Sequence, residues 1–232
     1  MNSLAPGFKA IVIGAGGAIG GAFVTLLRAS PCCAEVVALS RGSTPAIDIE
    51  DEASIAAAAA SLREQAPFQL IVNATGALHI GSAAPEKRLA DLDPATLARA
   101  FAINAIGPAL LIKHFAPLLP RKERGLFATL SARVGSISDN RKGGWYSYRA
   151  AKAAQNMLVK TAAIELARQQ PEAVLAALHP GTVRSRLSAA IIGDTPAFEP
   201  EHSARQMLAV LDGLSSAESG GFFAYDGSVI GW

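Results

Sequence analysis

The chain has 232 residues, of which 50% are hydrophobic and 17% are charged. This composition supplies enough apolar material for one sizeable core, so it excludes a disordered chain and predicts a single domain over residues 1–232. The formal net charge is +2 and the basic residues are scattered, which argues against nucleic acid or a membrane surface as a partner.

The N-terminal residues 1–17 contain neither the charged segment nor the apolar segment of a secretory signal. Uninterrupted apolar runs stay short of the roughly 18 residues that a membrane span needs, so we expect the protein in the cytoplasm. Cys32 and Cys33 are sequence neighbours, which makes a disulfide between them strained, and two cysteines alone do not form a structural zinc site. We therefore expect reduced cysteines and no metal.

Short β-branched and apolar runs predict strands, and longer alanine-rich segments between them predict helices. The apolar runs are continuous rather than alternating, which indicates strands buried on both faces of a parallel sheet. The predicted fold is a single-domain, Rossmann-type doubly wound sheet of about seven mostly parallel strands with helices on both faces. The runs that predict strands are 9–14, 35–40, 68–74, 125–131, 173–179 and 220–225.

One long helical segment has clear boundary signals. Asp93 is a candidate N-cap, Pro94 suits the first helical position, and the segment ends near Pro117. Pro108 lies inside it, so we expect a kink or bend around Gly107.

A glycine cluster, "GAGGAIGG" at residues 14–21, follows the first predicted strand directly. Gly14 and Gly16 fit the first two positions of Gly-x-Gly-x-x-Gly, but the third position is Ile19. The spacing that fits is Gly-x-x-x-small-x-Gly, with Gly14, Ala18 and Gly20. Glycines at a strand-to-helix turn let the backbone approach a pyrophosphate at the positive end of the helix. The alternative is a plain tight turn.

The second predicted strand ends at Ser40, where an NAD site would normally carry an acidic residue for the ribose hydroxyls. Arg41 follows, and an arginine at this point can bind the 2′-phosphate of NADP. The pattern favours NADP over NAD, with a solvated surface arginine as the alternative.

Several motifs in order along the chain resemble those of the short-chain dehydrogenase/reductase family, most closely its small C-factor-type carbonyl reductases. The motifs are "GAGGAIG" (14–20), Asp48 in "AIDIED", "NATG" (73–76), "NAIG" (104–107), "YRAAK" (148–152) and "HPGTVRS" (179–185).

The resemblance implies catalytic roles. Tyr148 would give a proton to a carbonyl being reduced, and Lys152, one helical turn further on, would favour the phenolate and so lower the pKa of the tyrosine. Asn104 would help to hold a water chain that leads from the lysine. Tyr146 has no lysine four residues later, so at most it lines the substrate pocket.

The resemblance also implies a cofactor groove. Asp48 would contact the adenine, the loop Asn73, Ala74, Thr75 and Gly76 would lie under the adenosine ribose, and the segment after the fifth strand would hold the nicotinamide carboxamide. The residues of that segment are Pro180, Gly181, Val183 and Ser185.

The catalytic serine of the family is missing from its usual place. Counting back three residues from Gly135 reaches Ala132. Ser131 is the first replacement to consider, since a one-residue shift at a strand end could re-aim its hydroxyl, followed by Ser136 and then Ser138. Neighbouring side chains on an extended strand point opposite ways, which leaves the choice open.

Together these features predict NADP-dependent hydride transfer to a small or hydrophobic carbonyl compound. The alternative is an NADP(H)-binding regulatory or cell-signalling protein with weak or lost catalysis. Residues 186–200 would form a short substrate lid. The apolar circumference of helices 96–116 and 147–168 predicts a homodimer or homotetramer.

Overall fold

The computed structural model describes residues 1–185 and 196–232, and six parallel strands within these ranges form one sheet. They follow the order β2-β1-β3-β4-β5-β6. An antiparallel bridge between Phe223 and Val229 pairs the C-terminal residues with the outer edge of β6. The strands are β1 (Phe8–Ile13), β2 (Cys33–Leu39), β3 (Leu70–Asn73), β4 (Gly125–Leu130), β5 (Ala173–His179) and β6 (Phe222–Ala224).

Helices cover both faces of the sheet. One apolar cluster joins Ile11 and Phe127 of the sheet to α2, α4 and α5, while a second joins Val12 and Leu126 to α1 and α6 on the opposite face. Alternate residues of the same strands enter different clusters, which explains why the strand sequences are apolar throughout. The α/β prediction is confirmed. The helices are α1 (Ala18–Arg28), α2 (Glu52–Ser61), α3 (Pro94–Phe101), α4 (Gly107–Phe115), α5 (Tyr146–Leu166) and α6 (Pro200–Gly213).

The strand order reverses beside β1. The chain passes from β1 outward to β2 and then returns to β3 on the other side of β1. Loops that leave the carboxyl ends of β1 and β3 therefore run in different directions and open a crevice, which is where ligands bind in doubly wound sheets.

The long helical segment has the expected ends and the expected interruption. The Asp93 carboxylate accepts a hydrogen bond from the Thr96 N–H at 2.7 Å, which caps α3. A π-helical turn over 102–106 separates α3 from α4 immediately before Pro108. This confirms the predicted irregularity, because the proline has no N–H to continue the regular pattern.

Among the described residues, one helical stretch is long and apolar enough to span a membrane. It is Pro94–Leu118, with a mean hydropathy of 1.5. In this fold it packs against α5 and β3. Its buried side chains, Leu111 and Phe115 among them, belong to the core beside the sheet. These are the contacts of a core helix.

Candidate active site

The predicted cofactor loops meet at the carboxyl edge of the sheet. The glycine-rich loop leaves β1, Ser40 and Arg41 follow β2, and residues 73–76 follow β3. Gly14 and Ala15 both donate through their N–H groups to the Leu39 carbonyl, at 2.9 and 3.0 Å, so the first two loops are joined directly.

The glycine-rich loop needs small residues at two positions. Gly14 has a φ of +86°, and a Cβ there would lie 2.9 Å from the Ala74 carbonyl carbon. A Cβ on Gly20 would lie 2.1 Å from the Gly14 oxygen. The N-cap of α1, Gly17, makes no side-chain capping bond, and the first turn carries no acidic residue. Gly16, Ala18 and Ile19 line this open end, which suits an anion.

The segment after β2 folds on itself. The Ser40 N–H donates to Ser43 Oγ at 2.8 Å, and Ser40 Oγ accepts from the Gly42 N–H at 3.2 Å. Arg41 is exposed beside it. Asp48 accepts from the Glu50 N–H at 3.0 Å and donates its own N–H to Ser54 Oγ, so one carboxylate oxygen of Asp48 is already engaged.

The loop after β3 is fixed by a buried asparagine. Asn73 Oδ1 accepts from the Thr75 N–H at 3.0 Å and from Thr75 Oγ1 at 2.6 Å, and Asn73 Nδ2 donates to Thr129 Oγ1 at 2.9 Å. The Ala74 N–H donates to the Ile13 carbonyl at 2.8 Å. This arrangement leads the chain into Gly76 beside the glycine-rich loop.

Asn104 ties the same loop to the π-helical turn. Its side chain is fully buried, donates to the Ala77 carbonyl at 2.8 Å and accepts from the Ala77 N–H at 3.0 Å. The main-chain carbonyl of Asn104 has no ordinary helical donor four residues later, because that residue is Pro108. The side chain is thus structural, and the role predicted for its main chain stays a prediction.

Tyr148 and Lys152 lie on the face of α5 that covers the sheet. Lys152 is 2% exposed, and its Nζ donates to the Leu130 carbonyl at 2.9 Å and lies 5.9 Å from the centroid of the Tyr148 ring. A Cβ on Gly76 would lie 3.5 Å from the same Nζ, so the lysine reaches the loop after β3. The geometry brings the predicted acid/base pair and the predicted ribose loop together.

Burial shifts the pKa of both groups. It lowers the pKa of Lys152 to about 7 and raises the pKa of Tyr148 above its ordinary value. The sequence-based expectation of a lowered tyrosine pKa is wrong in this structure, because the loss of solvation disfavours the charged form of each group. At neutral pH the Tyr148 hydroxyl is consequently protonated and can donate a proton.

The serines near β4 already have partners. Ser131 is buried and its hydroxyl donates to Asn156 Oδ1 at 2.7 Å. Ser136 Oγ bonds to the Gly231 carbonyl and to Ser138 Oγ, so both of these serines lie against the C-terminal residues. Ser131 as the group that binds the substrate oxygen stays a prediction, and that role requires its hydroxyl to exchange partners.

The segment after β5 packs against Ser203 and Phe198. The Pro180 carbonyl accepts from Ser203 Oγ at 2.6 Å, and a Cβ on Gly181 would lie 2.9 Å from the Phe198 ring. Val183 is buried and bridges to Phe198, and Ser185 follows it. Of the predicted lid 186–200, residues 186–195 lie outside the described residues.

Three residues at the site escaped the sequence analysis. Gln155 accepts from Lys152 Nζ at 2.7 Å. The buried Glu86 carboxylate accepts from the N–H and the hydroxyl of Ser147, next to Tyr148. Trp145 has a φ of 52°, and its ring meets the Tyr148 ring edge-on at 6.5 Å. Of these, only Gln155 carries a sequence signal, as a polar residue one helical turn from the lysine.

Sequence comparisons give one family match and clear relatives. The family model described as enoyl-(acyl carrier protein) reductase matches residues 22–221. C-signal of Myxococcus xanthus is 35% identical over 167 residues, which are 72% of this chain and 93% of that protein. The 1-hydroxy-2-glutathionyl-2-methyl-3-butene dehydrogenase of Rhodococcus sp. (strain AD45) is 31% identical over 188 residues, which are 81% of this chain and 79% of that protein.

Solved structures share the whole fold. The NADPH-bound carbonyl reductase from chicken fatty liver matches with a TM-score of 0.86 and 26% identity, covering 99% of this chain and 96% of that chain. The carbonyl reductase Sniffer of D. melanogaster matches with a TM-score of 0.81 and 21% identity, covering 97% and 99% of the two chains. The second likeness concerns the fold alone.

Proposed function

Because the chain belongs to the short-chain dehydrogenase/reductase family, we propose that it is an NADP-dependent oxidoreductase that transfers hydride between the nicotinamide and a small or hydrophobic carbonyl or alcohol substrate. The observation that carries the proposal is the Tyr148–Lys152 pair, held beside the loop after β3 at the crevice of the sheet. The likeness to the NADPH-bound carbonyl reductase from chicken fatty liver supports the same function.

The residues at the crevice fit the cofactor. The uncapped start of α1 suits the pyrophosphate, and a side chain at Gly14 or Gly20 would collide with neighbouring backbone. The exposed Arg41 suits the 2′-phosphate, since a guanidinium can bind phosphate oxygens in pairs. Asp48, the loop 73–76 and the segment 180–185 would hold the adenosine and the carboxamide.

When bound, the nicotinamide supplies the hydride for reduction or accepts it in the reverse direction. The Tyr148 hydroxyl then gives its proton to the carbonyl oxygen as charge develops there. Lys152 stabilises the phenolate that remains, since a positive charge nearby favours the ionised form. Burial raises the pKa of Tyr148, so at neutral pH its hydroxyl is protonated, which is the form that carbonyl reduction requires.

Because position 132 is an alanine, it provides no hydroxyl to donate a hydrogen bond to the substrate oxygen. Ala132 is extended, with φ −144° and ψ 141°, and is the second residue after the end of β4. A missing donor to the substrate oxygen costs about 10²- to 10³-fold in kcat where such donors have been removed. The expected enzyme is therefore slow but active.

The decisive experiment follows NADPH oxidation by purified protein over a panel of ketones and aldehydes, with Tyr148→Phe as the matched variant. The proposal expects turnover that the variant loses while NADPH still binds. Equal behaviour of the two proteins across the panel would contradict it.

A second candidate is an NADP(H)-binding regulatory or cell-signalling protein. Ala132 and the 35% identity to C-signal favour it. This candidate expects NADPH binding on the order of micromolar or tighter, without turnover, even in Ala132→Ser. Robust turnover by the unmodified protein would eliminate it.

The proposal includes a homodimer or homotetramer in the cytoplasm. The outer face of α5 exposes Met157 by 67% and Ile164 by 54%, and Ile106, in the π-helical turn that packs against α5, is 52% exposed. Large apolar side chains grouped in this way are typical of a surface that another subunit covers. A monomer mass by light scattering at micromolar concentration would contradict it.

A further inference from the structure

Gln155 makes the shortest hydrogen bond that the Lys152 ammonium has. Its side chain is 1% exposed, and Oε1 lies 2.7 Å from Lys152 Nζ. The contacting atom must be the amide oxygen, because an ammonium only donates. The Gln155 amide nitrogen donates in turn to the Leu130 carbonyl at 3.1 Å and to Thr129 Oγ1 at 3.3 Å. Gln155 is therefore held on the sheet and holds the lysine.

These bonds continue to the loop after β3. Thr129 Oγ1, which accepts from Gln155, also accepts from Asn73 Nδ2 at 2.9 Å, and Asn73 binds Thr75 through its oxygen. Asn73 and Thr129 are fully buried, so water does not compete for these groups. A continuous buried hydrogen-bond chain thus joins the lysine to the loop proposed to lie under the ribose.

This hydrogen-bond chain limits how the Lys152 ammonium can rotate. An ammonium has three N–H donors, and among the described residues the Leu130 carbonyl and Gln155 Oε1 take two of them. Two fixed acceptors prevent free rotation of the group, so the direction of the remaining N–H is set. Gly76, whose Cβ would lie 3.5 Å from Nζ, borders the space on the site side.

We propose that Gln155 is a positioning residue, which fixes the Lys152 ammonium so that one N–H remains available to the cofactor and to Tyr148. The inference rests on the proposed function for the use of that N–H, but not for the hydrogen bond itself. Gln155 acts through the lysine and does not touch the substrate.

The same contact predicts how the lysine titrates. Besides Gln155, the groups of the described residues that face Nζ are the Tyr148 ring on α5, the Leu130 carbonyl on β4 and, across Gly76, the Asn104 amide. Of these only Tyr148 is titratable. Burial lowers the pKa of Lys152, while an acceptor such as Gln155 favours the charged form and opposes that shift.

The test measures the Lys152 titration by NMR of ¹³C-labelled lysine in the unliganded protein, assigned with Lys152→Met. Gln155→Leu removes the acceptor and should move the midpoint down by about one pH unit or more. Gln155→Glu places a carboxylate there and should move it up. The control is Gln170→Leu, because Gln170 is also a buried glutamine and donates to the Ala116 and Leu119 carbonyls.

Opposite shifts in the two Gln155 variants, with no shift in the control, would support the inference. An unchanged midpoint in both Gln155 variants would overturn it. If active, the enzyme should show the same displacements in the alkaline limb of its pH profile for reduction. Shifted midpoints without NADPH turnover in any protein would contradict the proposed function and leave the positioning role intact.

Discussion

Replacing Lys152 with methionine should change how the stability of the protein depends on pH. Burial lowers the pKa of Lys152 from 10.5 to about 7, so between these values the unfolded chain binds a proton that the folded chain does not. The free energy of unfolding therefore rises with pH through this window, and the buried lysine destabilises the folded state most below pH 7. From pH 7 to pH 9 the free energy of unfolding should rise by about 2 kcal/mol, because the unfolded chain keeps the lysine proton that the folded chain releases.

Urea unfolding of the wild type and of Lys152→Met at both pH values measures this directly. The variant leaves Leu130 and Gln155 without their donor, but neither acceptor titrates, so that cost is the same at both pH values. The free energy of unfolding of the wild type should gain about 2 kcal/mol relative to the variant on going from pH 7 to pH 9. Parallel pH dependences would refute the claim that a buried, deprotonating lysine lies at this position.

The remaining predictions concern the proton donor, the missing hydroxyl, a close packing contact and the outer face of α5. Tyr148→Phe should lower kcat by about 10²- to 10⁴-fold in steady-state assays while the NADPH Kd, from fluorescence titration, stays the same. Ala132→Ser should raise kcat by about tenfold or more, and an unchanged kcat would place this position away from the substrate oxygen. Gly135→Ala should lower the free energy of unfolding by about 1–3 kcal/mol, because the new Cβ would lie 2.8 Å from the Cβ of Lys152 on α5. Gly213→Ala, which meets nothing within 4 Å, is its control in the same denaturant series. Met157→Glu should reduce the mass in light scattering to that of a monomer, and an unchanged oligomer would exclude this face as the interface.

The sheet and the position of the site could be predicted from the sequence because both depend on local patterns. Continuous apolar runs identify strands buried on both faces, and glycines directly after β1 mark the loop at its carboxyl end. The spacing of Tyr148 and Lys152 places them one helical turn apart in any helix that contains them. These local patterns can be recognised without knowing which residues pack against them.

The electrostatics and the partners of the polar groups could not be predicted, because they depend on contacts between distant elements. The pKa of Tyr148 is one example: the spacing reveals its neighbour Lys152, but the loss of solvation in the folded protein decides the direction of the shift. Ser131 likewise binds Asn156, which lies 25 positions further along the chain. The left-handed backbone of Trp145 has no residue-type signal at all.

The central claim is that Tyr148 protonates a carbonyl that receives hydride from NADPH at this site. The most direct measurement supplies NADPH deuterated at the transferred position with the carbonyl compound that the panel identifies, and analyses the alcohol by mass spectrometry and NMR. The proposed mechanism predicts one deuterium on the carbinol carbon with the wild-type protein, and a strongly reduced yield of that alcohol with Tyr148→Phe. NADPH that binds but transfers no deuterium to any carbonyl compound, or equal yields from the two proteins, would contradict it.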